Sequence, residues 1–192
     1  MLSRVNFSTK PKIIDQSSEL FLPAGLTEKI SFTDGETERI SMLVCYLKSL
    51  PVGAKIIIFG NTIKVSKRIQ FFLDSLGYKC SNLHSHMEQK LRLTKLERFK
   101  KSETINILVS TDVAARGLDF FATNVVQYGV PLNGDTYVHR AGRTARANRK
   151  GEALILVDRT EGNKWGEIND ILNSSVPNRK VDKFCPAKIL MD

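Results

Sequence analysis

From about residue 37 to residue 172 the chain alternates short apolar runs with stretches in which apolar positions recur at helical spacing. Ile40, Leu43, Val44 and Leu47 follow the i, i+3, i+4, i+7 pattern that turns one helix face toward a core. The spacing predicts a helix over 37–50, stopped by "PVG". Beyond it the alternation predicts a strand in "KIIIF", a helix over 64–76, a strand in "YKCSNL", a helix over 88–100, a strand in "INILVS" and a short helix near Val113. "NVVQYGV", a helix over 137–145, "EALILV" and a last helix over 163–172 complete the series. The runs at 56–59 and 105–109 lack polar alternation, so both their faces must be covered. Regular β-α alternation built on such strands predicts an α/β fold of three layers, a mainly parallel sheet with helices on both sides.

Residues 1–36 read as a lead-in, with "FLPAGL" as a turn-like interruption and "EKISF" as an edge strand before the turn "TDGE". Residues 37–173 read as the domain and 174–192 as a basic extension. In this architecture ligands bind in the crevice at the carboxyl ends of the strands. Three stretches fall where a strand hands over to a helix: "FGNT", "STDVAARGLD" and "HRAGRTAR".

Composition narrows the class of partner. A chain of 192 residues with 42% hydrophobic content can bury one full core but not two. Lysine and arginine number 29 against 20 acidic residues, a formal charge of +9 that favours a polyanion, although lysines spread along a chain also make an inert solvated surface. The three cysteines, Cys45, Cys80 and Cys185, are far apart and form no CxxC pair, which argues against a disulfide framework or a structural zinc site and fits a reducing compartment. No apolar run approaches ~20 residues, and "MLSRVNFSTKPK" lacks the apolar core of a signal peptide. The expectation is a soluble, intracellular protein with no membrane partner.

The three stretches carry the candidate chemistry. In "STDVAARGLD", Thr111 and Asp112 can cap a helix whose first N–H groups form an anion site, while Gly117 permits a tight exit that leaves Arg116 and Asp119 at the crevice. Asp119, beside Phe120 and Phe121, suits hydrogen bonds to a ribose. In "HRAGRTAR", Arg143 and Arg146 are expected to share a helix face with Arg140 one step back, and like charges at that spacing repel unless an anion or a carboxylate lies between them. Planar guanidinium forks suit phosphate, and internal salt bridges are the alternative. Gln89 and Arg92 sit together at the start of the helix whose apolar face holds Leu93, Leu96 and Phe99. His84 and His86 point to opposite faces if their segment is extended, which argues against a metal pair.

In order and spacing these stretches resemble the C-terminal RecA-like lobe of a DEAD-box RNA helicase over roughly residues 37–157. "IIIFGNT" resembles motif IV, "MEQKLR" the QxxR element, "STDVAARGLD" motif V and "YVHRAGRTARA" motif VI. "LHSHMEQKLRLTKLERF" and the leading "PKIID" look most like the nucleolar branch that assists large ribosomal subunit assembly. The resemblance implies a RecA-like, P-loop NTPase-like domain and gives its residues roles. Arg143 and Arg146 match arginine fingers on the γ-phosphate of ATP. Gly117 and Asp119 match ATP-binding positions, the latter at the ribose. Arg116, His139 and Arg140 match positions that couple the two lobes. Gln89, Arg92 and Thr111 match RNA-backbone positions, with Asn61 and His84 as neighbours, so RNA binding should be independent of sequence.

The chain shows no GxxxxGK[ST] loop, no D-E-A-D run and no glutamine motif. In the family these belong to the N-terminal lobe, which holds most of the ATP and Mg2+. The resemblance therefore implies a partial enzyme, inactive in isolation, whose partners are RNA, the N-terminal RecA-like lobe of the same protein and pre-ribosomal particles, in the nucleus or nucleolus. A freestanding RNA-binding or regulatory lobe is the non-enzymatic alternative. A flavodoxin-like small-molecule domain would need one phosphate loop in place of two arginine-bearing segments. The chain departs from the family pattern at Ser85 and His86, where Gly-Asp is usual, at Asn148, where glycine is common, and at Gly129, where aspartate often stands.

Overall fold

The computed structural model describes residues 20–104, 106–115, 120–146 and 149–186. Seven strands form one sheet in the order β3-β4-β2-β5-β6-β1-β7. They are β1 Leu26–Thr33, β2 Ile56–Gly60, β3 Cys80–Leu83, β4 Ile107–Ser110, β5 Asn124–Tyr128, β6 Gly151–Asp158 and β7 Val181–Lys183. Every pairing is parallel. The helices between them are α1 Gly35–Ser49, α2 Ile63–Ser75, α3 Gln89–Lys101, α4 Asp112–Ala115, α5 Gly134–Ala141 and α6 Gly162–Ser175, the last entered through a 3-10 turn at Arg159–Glu161.

The unpatterned strands are buried on both faces. Ile56 and Ile58 of β2 pack with Leu43, Tyr46, Ile69 and Leu73 of α1 and α2. Their neighbours Ile57 and Phe59 point the other way, into a cluster with Leu96 and Phe99 of α3, Tyr137 of α5 and Trp165 and Leu172 of α6. A sheet coated on both sides has no polar face to show in the sequence, and each fully buried aliphatic side chain contributes ~1.5–3 kcal/mol. The three layers and the α/β RecA-like class are as the alternation and the resemblance predict.

Three local expectations are corrected. "EKISF" lies in β1, which is not at the edge: it pairs with β6 over its whole length, and β7 pairs with Glu28–Ile30 on its other side. The reason is long-range. Glu28, an outward-facing residue by its sequence, is buried in β1 because Arg179 reaches it with an Nη2–Oε1 distance of 2.8 Å while stacking near Tyr137 and Trp165. The segment after α6 is thereby tied to the sheet, with Phe184 edge-on to Tyr46 at 5.3 Å.

The second correction concerns α5. Asn133 caps it, its side chain accepting from Thr136 N–H at 2.9 Å, and the helix ends at Ala141. Thr144 Oγ1 then donates to the Thr123 carbonyl at 2.8 Å and Ala145 takes φ 57°. A Cβ on Gly151 would overlap Thr144 Oγ1 and the Ala145 backbone, so this return depends on glycine there. Arg143 and Arg146 consequently lie on a turn, not on a shared helix face.

The third correction is at His84 and His86. Their segment is a turn closed by Met87 N–H donating to the His84 carbonyl at 3.1 Å, and it brings the two imidazoles edge-to-face with centroids 6.3 Å apart.

Candidate functional site

The carboxyl ends of β2, β4 and β5 stand side by side, and Arg140 joins them. Its Nε and Nη2 donate to the two carboxylate oxygens of Asp112, both at 2.7 Å, and Nη2 also donates to Asn61 Oδ1 at 2.9 Å. Asn61 in turn donates to the Val130 carbonyl at 2.9 Å. The Arg140 guanidinium lies 5.5 Å from the Phe59 ring centroid, and its side chain is only 2% exposed. A planar fork suits this site, since lysine could not serve both carboxylate oxygens from one plane. One donor, Nη1, is buried without a hydrogen-bond partner among the described residues.

Around Arg140 lies a cavity of about 250 Å³ lined by Phe59, Asp112, Ala115, Thr136, His139, Arg140 and Arg143. His139 is exposed on the last turn of α5. Arg143 donates to the Ala115 carbonyl at 3.1 Å and rests 5.0 Å from the Phe120 ring centroid, so its guanidinium is steered toward α4. Arg146 is exposed, and its Nε donates back to the Gly142 carbonyl. The sequence thus yields one arginine held internally and two carried past the helix end by the turn at 142–146.

A second group of polar atoms collects at the ends of β3 and β4. Thr111 N–H donates to the Leu83 carbonyl at 3.2 Å, which places Thr111 beside His84. Arg92 is bound through Nη1 to Gln89 Oε1 at 2.9 Å and through Nη2 to the Ala114 carbonyl at 2.8 Å. His84 Nδ1, Thr111 Oγ1 and Arg92 Nε are all buried without hydrogen-bond partners among the described residues. Buried polar groups left unsatisfied cost ~1–3 kcal/mol each, so three in one neighbourhood indicate a place suited to a polar ligand. Burial and the positive charges of Lys67 and Lys95, with His86, hold the His84 imidazole below its ordinary pKa.

The structure thus brings Arg140, Arg143 and His139 together on one cavity, and His84, Gln89, Arg92 and Thr111 near one another at the adjoining strand ends. Asn61, grouped with the RNA positions by resemblance, has both ends of its amide engaged, one by Arg140 and the other by Val130. Arg116, Gly117, Asp119 and Asn148 lie outside the described residues. Among the described residues no three His, Cys, Asp or Glu side chains form a metal-ligand group.

Sequence reasoning left out Asp112 as the partner of Arg140, because 28 positions separate them. It also left out the group behind Asn61. There Arg39 pairs with Asp158 at 3.3 Å and Glu161 at 3.0 Å, and Glu161 Oε1 accepts from Val130 N–H at 3.3 Å. Hydrogen bonds from Thr160 hold the Asp158 carboxyl down at about 2. Gly129 sits against this group with φ 105°; a Cβ there would lie 3.2 Å from Asn61 Nδ2, 3.3 Å from Arg39 Nη1 and 3.4 Å from Glu161 Oε1. The departure from aspartate at this position therefore has a local basis.

A seven-stranded parallel sheet covered by helices on both sides is the fold of a RecA-like α/β domain. The model of the helicase conserved C-terminal domain matches residues 38–148, more than half of the chain, and the chain belongs to that family, as the C-terminal domain of a DEAD-box RNA helicase. Among its relatives, the ATP-dependent rRNA helicase rrp3 of Emericella nidulans is 38% identical over 144 residues, covering 74% of this chain and 31% of the relative. The ATP-dependent RNA helicase MAK5 of Vanderwaltozyma polyspora is 35% identical over 164 residues, covering 81% of this chain and 21% of the relative. The chain thus spans between a fifth and a third of the length of these relatives. Among solved structures, the E. coli DEAD-box protein SrmB, bound to regulator of ribonuclease activity A, superposes with a TM-score of 0.71 at 28% identity, covering 84% of this chain and 92% of that one.

Proposed function

We propose that the chain is the second lobe of an ATP-dependent RNA helicase, supplying arginine fingers for ATP hydrolysis and part of the track that holds an RNA backbone. The observation that carries this reading is the arrangement at the strand ends. Arg140 is locked by Asp112 and Asn61, while Arg143 shares its cavity and Arg146 stands exposed beyond the helix end. In this reading ATP and Mg2+ are held mainly by the N-terminal lobe of the complete protein. Arg143 and Arg146 meet the γ-phosphate when the lobes close, and Arg116, His139 and Arg140 couple that closure to the site. Gly117 and Asp119 serve the nucleotide, with Asp119 at the ribose.

His84, Gln89, Arg92 and Thr111 hold RNA phosphates at the ends of β3 and β4, supported by the three buried polar atoms there that lack partners among the described residues. Asn61 serves this track indirectly, by fixing Arg140 between the two groups. Closure on ATP would bend one strand and separate a short duplex locally. Similarity to proteins named rRNA helicases supports a role in ribosome assembly in the nucleolus, on pre-ribosomal particles.

The test is RNA-stimulated ATP hydrolysis by the complete protein. Arg143→Ala and Arg146→Ala are each expected to lower turnover by ~10³-fold or more. Near-normal turnover in both variants would sink the finger assignment. The isolated chain is expected to hydrolyse no ATP and to bind RNA weakly, with affinity that fades as salt is added.

A further inference from the structure

α3 carries more positive charge than the proposed RNA track uses. Lys90, Arg92, Lys95, Arg98, Lys100 and Lys101 face a single acid, Glu97, within the helix. Glu97 is shared between Lys100 at 3.5 Å and Lys101 at 3.4 Å, whereas Lys90 and Arg98 pair with no acid among the described residues. On the outer side of the helix an open groove of about 750 Å³ runs past Lys90, Leu93, Arg98, Lys101 and Thr104. Leu93, expected from its spacing to join Leu96 and Phe99 in the core, is instead 46% exposed on this side and gives the groove an apolar floor.

The groove lies on the opposite face of α3 from Arg92 and shares the helix with the track, reaching beyond it toward the helix end. α3 starts with Gln89 and Arg92 beside the carboxyl ends of β3 and β4. Its far end is fastened near the amino end of β2, where Lys55 donates to the Phe99 carbonyl at 2.8 Å. From Lys90 to Lys101 the helix advances ~16 Å, away from the strand-end crevice. We infer that this outer groove of α3 is a second RNA-binding surface, taking the sugar-phosphate backbone of the segment that flanks the one held at the strand ends. Lys90, Arg98 and Lys101 meet phosphates, the first two without a competing acid, and Leu93 lies against sugar or base. This inference rests on the RNA reading above.

The experiment compares two single-stranded RNAs on the 192-residue chain, a short one that fills only the strand-end track and the same RNA extended at either end. The triple variant Lys90→Gln, Arg98→Gln, Lys101→Gln changes exposed helix positions only. It is expected to bind the short RNA as wild type does. For the extended RNA it should lose about tenfold in affinity, with a plot of log affinity against log salt shallower by ~2, as three lost phosphate contacts require. Glu97→Gln is expected to bind the extended RNA more tightly than wild type.

Wild-type affinity and slope for the extended RNA in the triple variant, or an unimproved Glu97→Gln, would overturn the groove alone. A polyglutamate peptide that displaces the extended RNA's extra binding at lower charge concentration than RNA itself would overturn it in favour of an acidic protein segment. A wild-type chain that binds neither RNA would overturn the RNA reading itself.

Discussion

Asp112 receives Arg140 through two bonds of 2.7 Å each, one to each carboxylate oxygen, joining the first residue of α4 to the last turn of α5. Removing the carboxylate strands a guanidinium that is 2% exposed. Asp112→Ala is therefore expected to cost ~3 kcal/mol, the low end for breaking a buried pair, because Asp112 itself keeps 26% exposure. Asp112→Asn, which retains one acceptor, should cost less. Urea unfolding of both variants checks the order, and a loss below ~1 kcal/mol in the alanine variant would contradict the clamp.

Arg179 and Glu28 form a second buried pair, 1% and 5% exposed. Arg179→Ala leaves Glu28 without its cation and should destabilise the chain by ~3–5 kcal/mol. The double change Glu28→Gln with Arg179→Met should recover much of that, since an apolar or neutral replacement of a whole buried pair is often tolerated. The urea midpoint should move with an unchanged slope; a wild-type midpoint for Arg179→Ala would show that the segment after α6 does not stabilise the sheet.

Gly129→Asp restores the residue common in the family, yet here it should destabilise. A side chain at φ 105° is strained, and its Cβ would press on Asn61, Arg39 and Glu161. The expected loss is ~1–3 kcal/mol, read as a lower thermal midpoint. An increase in midpoint would mean that the Arg39 and Glu161 side chains give way freely.

His84 should make stability depend on pH. Its folded-state pKa lies below the ordinary ~6.5, so as pH falls through that region the unfolded chain takes up the proton more readily than the folded one. Stability contributed by the neutral imidazole is present above that window and declines on acidification. Between pH 7.5 and 5.5 the thermal midpoint of the wild type should fall further than that of His84→Gln. Parallel declines would remove His84 as the cause.

The fold was legible because its strands are buried on both faces: Ile56 to Phe59 reads as one apolar run, and each residue in it does meet a core. The arginines after α5 were legible as chemistry but not as geometry. Helical spacing put Arg143 and Arg146 on one face, while the bond from Thr144 to Thr123 and the close approach of Gly151 end the helix at Ala141. No local pattern announces contacts made from so far away. The same holds for Glu28, which reads as a solvent residue until Arg179 is placed on it, and for Asn61, whose partner Arg140 is 79 positions on.

β1 is synthesised before both strands that flank it, β6 and β7, which come from the last third of the described chain. At ~5–20 residues per second, the ribosome needs roughly 6–30 s to deliver them. During that interval Leu26–Thr33 has no neighbour on either side, and its backbone groups stand open to any other strand. Nascent chains of this lobe should thus engage chaperones through their first strand, and be released from them when residues 181–183 emerge.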